Sequence, residues 1–356
     1  MFWRWYYNFT HTKLVLVYKG ENMNSWNIKE EHFKTKKDMG AKLEFLLGYA
    51  ILAPSGYNSQ PWKFRIDENK IEIYSDFTKK RGVIDPGNRE IYVSVGAALE
   101  NLLIAAKHFG FETKIKINKI IGEDKKLDLV ATVEFQDKKI KDDSLNKIMF
   151  EAIRKRQTNR RPFEKLSKET KKLEKQIKDL IEDREIEAKL FDEENIKKKI
   201  GSLMAQASLY WYSKENFRKE LMSWLRDDTE TKNMDSIWQK YYDATDRMGV
   251  LNFAEEKAIK DEMMVVESPI LMVVSSKKDN KENWIKTGRN LERILLYLTS
   301  ENISQAYFNS IVESEKHRIE LGKELNNGIP QLVLRLGKAK KVMRSSRSTP
   351  EEVLIS

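Results

Sequence analysis

The chain has no cysteine among its 356 residues, which excludes disulfides, thiolate nucleophiles, iron–sulfur clusters and cysteine-ligated zinc. Its four histidines, His11, His32, His108 and His317, stand apart at no metal-ligand spacing. None accompanies a Gly-x-Ser-x-Gly turn, so a hydrolytic triad has no support. Long apolar runs are also missing. The aromatic-rich stretch Met1 to Val17 holds one aliphatic run, Leu14-Val15-Leu16-Val17, too short to span a membrane and without a clean secretory pattern. No membrane partner is expected, and the location expected is cytoplasmic. A Gly-x-Gly-x-x-Gly after a strand is absent as well, so no separate dinucleotide domain is expected. With no metal-ligand spacing and no side-chain nucleophile in view, the remaining routes to chemistry are an organic cofactor or none.

What is present begins with charge. Lys plus Arg number 65 against 55 Asp plus Glu, a formal charge of +10, which points to acidic ligands or nucleic acid. From Lys171 to Lys199, however, Lys alternates with Glu and Asp at helical spacing, the pattern of a solvated helix face and not of a phosphate-tracking stripe; no nucleic-acid partner is expected. The length suffices for two domains. Residues 1–40 read as an N-terminal extension. Within it Lys19-Gly20-Glu21-Asn22 precedes Met23, and its codons can spell a purine-rich ribosome-binding sequence, so translation from Met23 is expected.

The polar loop Ala53-Pro54-Ser55-Gly56-Tyr57-Asn58-Ser59-Gln60-Pro61-Trp62 follows an apolar helical pattern of Leu43, Leu46, Leu47, Ala50 and Ile51 and leads into two short strand-like runs, Phe64 and Ile66, then Ile71 and Ile73. Its hydroxyl, amides and backbone N–H groups offer both donors and acceptors to a flat heterocycle. Equally, Ser55 and Asn58 could satisfy their own backbone in a simple turn.

An internal similarity accompanies the loop. Gly96, Leu99, Glu100, Leu102, Leu103 and Ala106 are matched, at an offset of 192 residues, by Gly288, Leu291, Glu292, Ile294, Leu295 and Leu298. Both segments read as apolar helices preceded by a glycine, each followed by an alternating strand: Leu127, Leu129, Ala131, Val133 and Phe135, then Leu332, Val333, Leu334 and Leu336. Two halves of similar layout suggest a pseudo-dimer. Between them lies a charged, helix-rich region from Asp142 to about Lys199, in which Arg154-Lys155-Arg156-Gln157-Thr158-Asn159-Arg160-Arg161-Pro162-Phe163 could clamp a phosphate or end a helix with basic residues that complement its dipole. Arg344 and Arg347 sit in a Ser-rich segment near the C-terminus.

Four stretches together resemble the nitroreductase-like FMN flavoproteins, and within them the single-chain, duplicated Acg type: Ala53-Pro54-Ser55 with Asn58-Ser59-Gln60-Pro61-Trp62; Asp85-Pro86 with Arg89-Glu90 and Gly96-Ala97-Ala98-Leu99; Arg156-Gln157-Thr158-Asn159-Arg160; and Pro330-Gln331-Leu332-Val333-Leu334-Arg335-Leu336-Gly337. The resemblance covers the chain from about Lys42 onward. It implies an α+β fold of two nitroreductase-like units, 41–140 and 141–356, each a small, mainly antiparallel sheet wrapped by helices. FMN would lie between them. Arg156, Thr158 and Arg160 match the family's Arg-x-Ser-x-Arg element with Thr for Ser, and Gln157 lies within it. Pro54, Ser55, Asn58 and Gln60 match the partner loop, and Arg344 and Arg347 the C-terminal phosphate contacts. The first half lacks the arginine element and the second lacks the loop, so one FMN per chain is implied, and a monomer can complete that site.

The implied activity is reduction of a small-molecule acceptor, a nitro or quinone-type compound, by NAD(P)H through FMN in ping-pong order, with no catalytic side chain. The alternative is an FMN storage protein with little turnover. The region from Trp211 to about Lys260, with Trp211, Tyr212, Phe217, Leu221, Trp224, Trp238, Tyr241 and Tyr242, has no counterpart in the first half. It reads as an amphipathic helical insertion, resembling a lid in the Acg type or serving as ordinary helix packing.

Overall fold

The computed structural model describes residues 21–119, 126–138, 140–224, 250–326 and 328–356. Helix α1, Met39–Ala50, begins where the Asp38 side chain accepts the Ala41 N–H at 2.8 Å, and it buries Leu43, Leu46 and Leu47 as their spacing requires. Strands β1, Trp62–Asp67, and β2, Lys70–Asp76, form a tight hairpin that turns at Glu68 with φ 51°. Helix α2, Arg89–His108, then leads to β3, Phe111–Ile117, and β4, Leu127–Asp137. These strands make an antiparallel sheet in the order β1-β2-β4-β3.

Helices α3, Ser144–Ile153, and α4, Thr170–Leu180, precede β5, Ile186–Phe191. Helices α5, Glu194–Tyr212, α6, Glu215–Ser223, and α7, Val250–Glu267, separate it from β6, Ile270–Ser276. There follow α8, Lys281–Ser300, and β7, Ser304–Tyr307, then α9, Ser310–Glu313, and α10, Glu315–Leu325. Strand β8, Ile329–Gly337, and the short α11, Pro350–Val353, complete the described chain. The second sheet is also antiparallel, in the order β5-β6-β8-β7. The fold is thus α+β, with two four-stranded antiparallel sheets.

The two sheets match in detail. Each carries its long helix between the second and third strands. Each has a register shift at the equivalent place, between Ile73 and Tyr74 in one and between Val274 and Ser275 in the other. Arg89 at the start of α2 donates to the Gln331 carbonyl of the second sheet. Lys281, 192 residues on, donates to the Leu129 carbonyl of the first at 2.9 Å and pairs with Asp128 at 2.7 Å. The halves differ between the first two strands, where a two-residue turn in one corresponds to α5, α6 and α7 in the other.

Two expectations need correction. Gly96 and Gly288 do not precede their helices but lie within α2 and α8. The helices cross there, backbone against backbone: the Cβ position of Gly96 is 3.2 Å from the Gly288 Cα, and a Cβ on Gly288 would overlap the Val93 carbonyl oxygen. The charged region from Asp142 to Lys199 is helix-rich as expected and also contains β5; only Ile186, Ala188 and Leu190 of that strand are buried, so its apolar signal is diluted by charged neighbours. Strand β8 does not alternate in burial. Leu332, Leu334 and Leu336 pack with Leu291, Ile294 and Leu295 of α8, while Val333 faces Ile200, Met204 and Leu321 of α5 and α10, so helices cover both faces.

The aromatic stretch and its Leu14–Val17 run, and Trp238, Tyr241 and Tyr242 of the insertion, lie outside the described residues, as do Lys19 and Gly20 of the presumptive ribosome-binding stretch. Among the described residues no helix is long and apolar enough to cross a membrane, and no cluster of side chains could hold a metal.

Candidate cofactor site

The loop after α1 is held in an uncommon backbone shape. Ser55 is extended, and Tyr57, Asn58 and Gln60 all adopt left-handed conformations, with φ of 52°, 57° and 52°. Asn tolerates that region; Tyr and Gln do so at a cost, which persists only where surrounding structure holds the loop. The Ser55 hydroxyl accepts the Gln60 N–H at 3.0 Å, so one prediction for this residue, the self-satisfying turn, describes its hydrogen bond. Asn58 and Gln60 instead reach the other end of the chain. Asn58 Nδ2 donates to the Ser346 carbonyl at 3.0 Å, Arg347 Nη1 donates to Asn58 Oδ1 at 2.6 Å, and the Ser348 N–H donates to Gln60 Oε1 at 2.8 Å. Pro54 is buried beside them.

Arg156 arrives from the segment after α3. It is only 2% exposed, and its Nη2 donates to the Leu52 carbonyl at 3.2 Å, the residue that leads into the loop. Its Nε lies 3.7 Å from Oε1 of Glu292 on α8. Among the described residues its Nε and Nη1 have no hydrogen-bond acceptor. Burial pushes the Glu292 carboxyl up to about 7, against the pull of Arg156 and Arg347. Further along, Thr158 bridges to Gln305 of β7, whose side-chain Nε2 is buried without a partner among the described residues. Gln157 Oε1 accepts the Val342 N–H at 3.1 Å.

The structure therefore brings Asn58 into direct contact with Arg347 and Gln60 with the adjoining Ser348, with Ser55 bracing the loop and Arg156 bonded to the residue that leads into it. Thr158 and Gln157 line the flank at β7 and Val342. Arg160 is exposed and close enough to Tyr212 of α5 to act on its hydroxyl. Arg344 reaches the cluster through Trp26: the ring is 5.1 Å from the Cζ of both Arg344 and Arg347. Trp26 also donates from Nε1 to the Ser345 carbonyl at 2.9 Å, and Ser25 Oγ donates to the Ser348 carbonyl at 3.2 Å. Sequence reasoning missed Trp26, Glu292 and Gln305 as parts of this site. Only Glu292 carried a signal, as the repeat-mate of Glu100. Of the four clustered arginines, Arg154 serves structure, capping α3 and bonding the Ile28 carbonyl and Glu30 at 3.0 and 2.8 Å.

Under the loop lies a buried charge cluster that joins both halves. Arg81 pairs with Glu90, and Arg89 Nη2 donates to Glu90 at 3.1 Å. The Arg81 guanidinium passes 4.9 Å from the Tyr57 ring and packs where a Cβ on Gly56 would be, 2.5 Å from Cζ. Asp85 is pushed up to about 6 by burial and Glu90, and Glu313 to about 8 by the same two causes, against Arg81 and Arg89. Three carboxylates thus share two guanidiniums, and Glu313 keeps the proton. Its folded carboxyl titrates above the ordinary 4.5, so the stability it contributes is complete below that value and is lost as pH rises through about 8. We expect urea stability to fall between about pH 5 and about pH 8.5 and Glu313→Gln to flatten the fall; an equally steep decline in the variant would sink the assignment.

The insertion covers the loop's outer side. Trp211 and Phe217 pack on Ile84, with Tyr57, Val83 and Leu221 against them. Glu220 of α6 accepts the Val83 and Ile84 N–H groups at 2.8 and 3.2 Å. A cavity of about 500 Å3 opens beside Gln60 and Ser348, bounded by Trp62, Asp76, Ser223 and Trp224, within the size range of small-molecule sites.

The chain matches no family model. Over 70 residues it is 33% identical to two curated Mycobacterium tuberculosis proteins, each named "Putative NAD(P)H nitroreductase". The similarity is to nitroreductases. The matched segment is 20% of this chain and 20% of each of those proteins, so the chain spans about one fifth of the length of the curated relatives it matches. Among solved structures, a "putative nitroreductase" from Anabaena variabilis has a TM-score of 0.47 at 8% identity, over 87% of this chain and 91% of that one. A nitroreductase with bound FMN from Desulfitobacterium hafniense has a TM-score of 0.36 at 12% identity, over 59% and 98%.

Proposed function

We propose that the chain is an FMN-dependent oxidoreductase of the nitroreductase-like family, built as an intramolecular pseudo-dimer of the Acg type. The observation that carries the reading is the meeting of the loop of one half with the other half: Asn58 bonds Arg347, Gln60 bonds the Ser348 N–H, and Arg156 bonds the Leu52 carbonyl that leads into the loop. The residues fit a phosphate-bearing flavin: among the described residues Arg156 keeps two buried N–H donors without acceptors, and Gln305 a third, a donor set suited to an anion. In this reading Arg156, Arg347 and Thr158 hold the phosphate side, and the loop from Pro54 to Gln60 orients the ring. Bound FMN would supply hydride acceptance from NAD(P)H and its delivery to a nitro or quinone-type acceptor. The buried arginines would favour negative charge on the ligand, and the packed insertion would exclude water.

A single site per chain is supported by the unequal fate of two matching residues. Glu100 is met by Arg289 and Arg293, each at 2.9 Å, whereas its counterpart Glu292 leaves Arg156 donors unused. A second reading, storage of FMN with little turnover, is favoured by the clasp of Glu220 on the 83–84 backbone.

The test is spectroscopic. Purified protein given FMN should show a flavin band at a flavin-to-protein ratio near one, and NADH or NADPH should bleach it rapidly in stopped flow. Bleaching by dithionite but not by nicotinamide would favour storage. A ratio near two would overturn the single site, and no bound flavin would overturn both readings.

A further inference from the structure

Glu292 and Glu100 occupy matching positions on α8 and α2, yet one is built as a structural ion pair and the other is not. Glu100 receives Arg289 Nε and Arg293 Nη1 at 2.9 Å each, the length of charge-assisted hydrogen bonds. Glu292 is fully buried, where an unpaired charge is most costly, and still its Arg156 contact stands at 3.7 Å, beyond hydrogen-bond length. Arg347 acts on the same carboxyl from the C-terminal segment. The other groups that face it are Glu100 and Asn101 on α2 and Tyr307 on β7. Two guanidiniums therefore share one loosely held carboxylate, at the place where Arg156 and Gln305 also keep buried N–H donors without acceptors among the described residues.

We propose that Glu292 is an internal stand-in for a phosphate group, balancing Arg156 and Arg347 in the free protein and yielding them, with uptake of one proton from solvent, when a phosphomonoester binds. The charge count requires the proton. A phosphate dianion beside an ionised Glu292 would set three negative charges against two guanidiniums, and protonation of Glu292 restores balance. The inference rests on the FMN reading and adds a proton to it.

The experiment is FMN affinity, read by flavin fluorescence, between about pH 7 and about pH 9, where the phosphate of FMN is already a dianion. Glu292 ionises as pH rises through about 7, so above about pH 8 the natural protein should lose affinity about tenfold per pH unit. Glu292→Gln should keep at high pH the affinity that the natural protein has near neutrality. Riboflavin, which has no phosphate, should bind without this pH dependence. A flat FMN profile in the natural protein, or the same decline in Glu292→Gln, would overturn the proposal while leaving the flavin reading intact. Failure to bind FMN even at pH 7 would overturn the flavin reading and this inference with it.

Discussion

Gly288→Ala should destabilise the protein by more than about 3 kcal/mol, and Gly288→Val should leave little that folds. In an ordinary helix the first change stabilises, by about 1 kcal/mol, because alanine restricts the unfolded chain and has the best helix propensity. Here the sign reverses. The added Cβ would overlap the carbonyl oxygen of Val93, a backbone atom in the second turn of α2 that cannot swing aside like a side chain. The helices would have to separate, and with them the contacts of Ile285, Leu291 and Leu295 in the two cores. Gly82→Ala is the control, since nothing lies within 4 Å of its Cβ position. Urea unfolding measures both. An unchanged midpoint for Gly288→Ala would mean that α2 and α8 do not meet backbone to backbone.

Arg156→Ala and Asn58→Ala should each raise the dissociation constant for FMN about 10- to 100-fold, the worth of a hydrogen bond to a charged group. Arg156 supplies buried donors directly. Asn58 acts through its grip on Arg347 and the Ser346 carbonyl, so its loss should release the C-terminal arginine from the loop. Arg156→Ala also leaves Glu292 buried without the cation that most favours its ionised form, so its upward shift should enlarge and the carboxyl should be protonated at neutral pH in the variant. Lys155→Ala, at an exposed neighbouring position paired with Glu151 at 3.4 Å, should leave FMN affinity unchanged. Flavin fluorescence titration decides the matter. Normal affinity in both Arg156→Ala and Asn58→Ala would return the loop to a turn that satisfies itself.

How far the residues could be read in advance differed by element. Helix α1 and the β1–β2 hairpin were legible because one face of each is buried and the period shows through. Strand β5 was not, because it lies within a run of Lys and Glu and only alternate residues are covered. Gly96 and Gly288 were visible as a pair, but as helix starts; a glycine in a crossing and a glycine before a helix look alike in one dimension. Within the site, the polar loop and the arginine cluster were legible as types of residue. Their partners were not. Trp26 gives no sign in the sequence that it lies against Arg344 and Arg347, more than three hundred residues away, and Gln305 is an ordinary polar residue until β7 turns its amide inward.

By itself the sequence excluded thiolate chemistry and cysteine-ligated metals through the absence of cysteine, and it showed a repeated helix with matched glycine and glutamate. Periodicity and composition are local properties and survive in one dimension. Only the tertiary structure decided that the repeated glycines face each other, that Arg154 caps a helix while Arg156 enters the interior, and that Glu100 is saturated while Glu292 is not. Those outcomes depend on distances between residues far apart in the chain. They arise only when the α2–α8 crossing brings the two sheets together and closes the C-terminal segment over the loop.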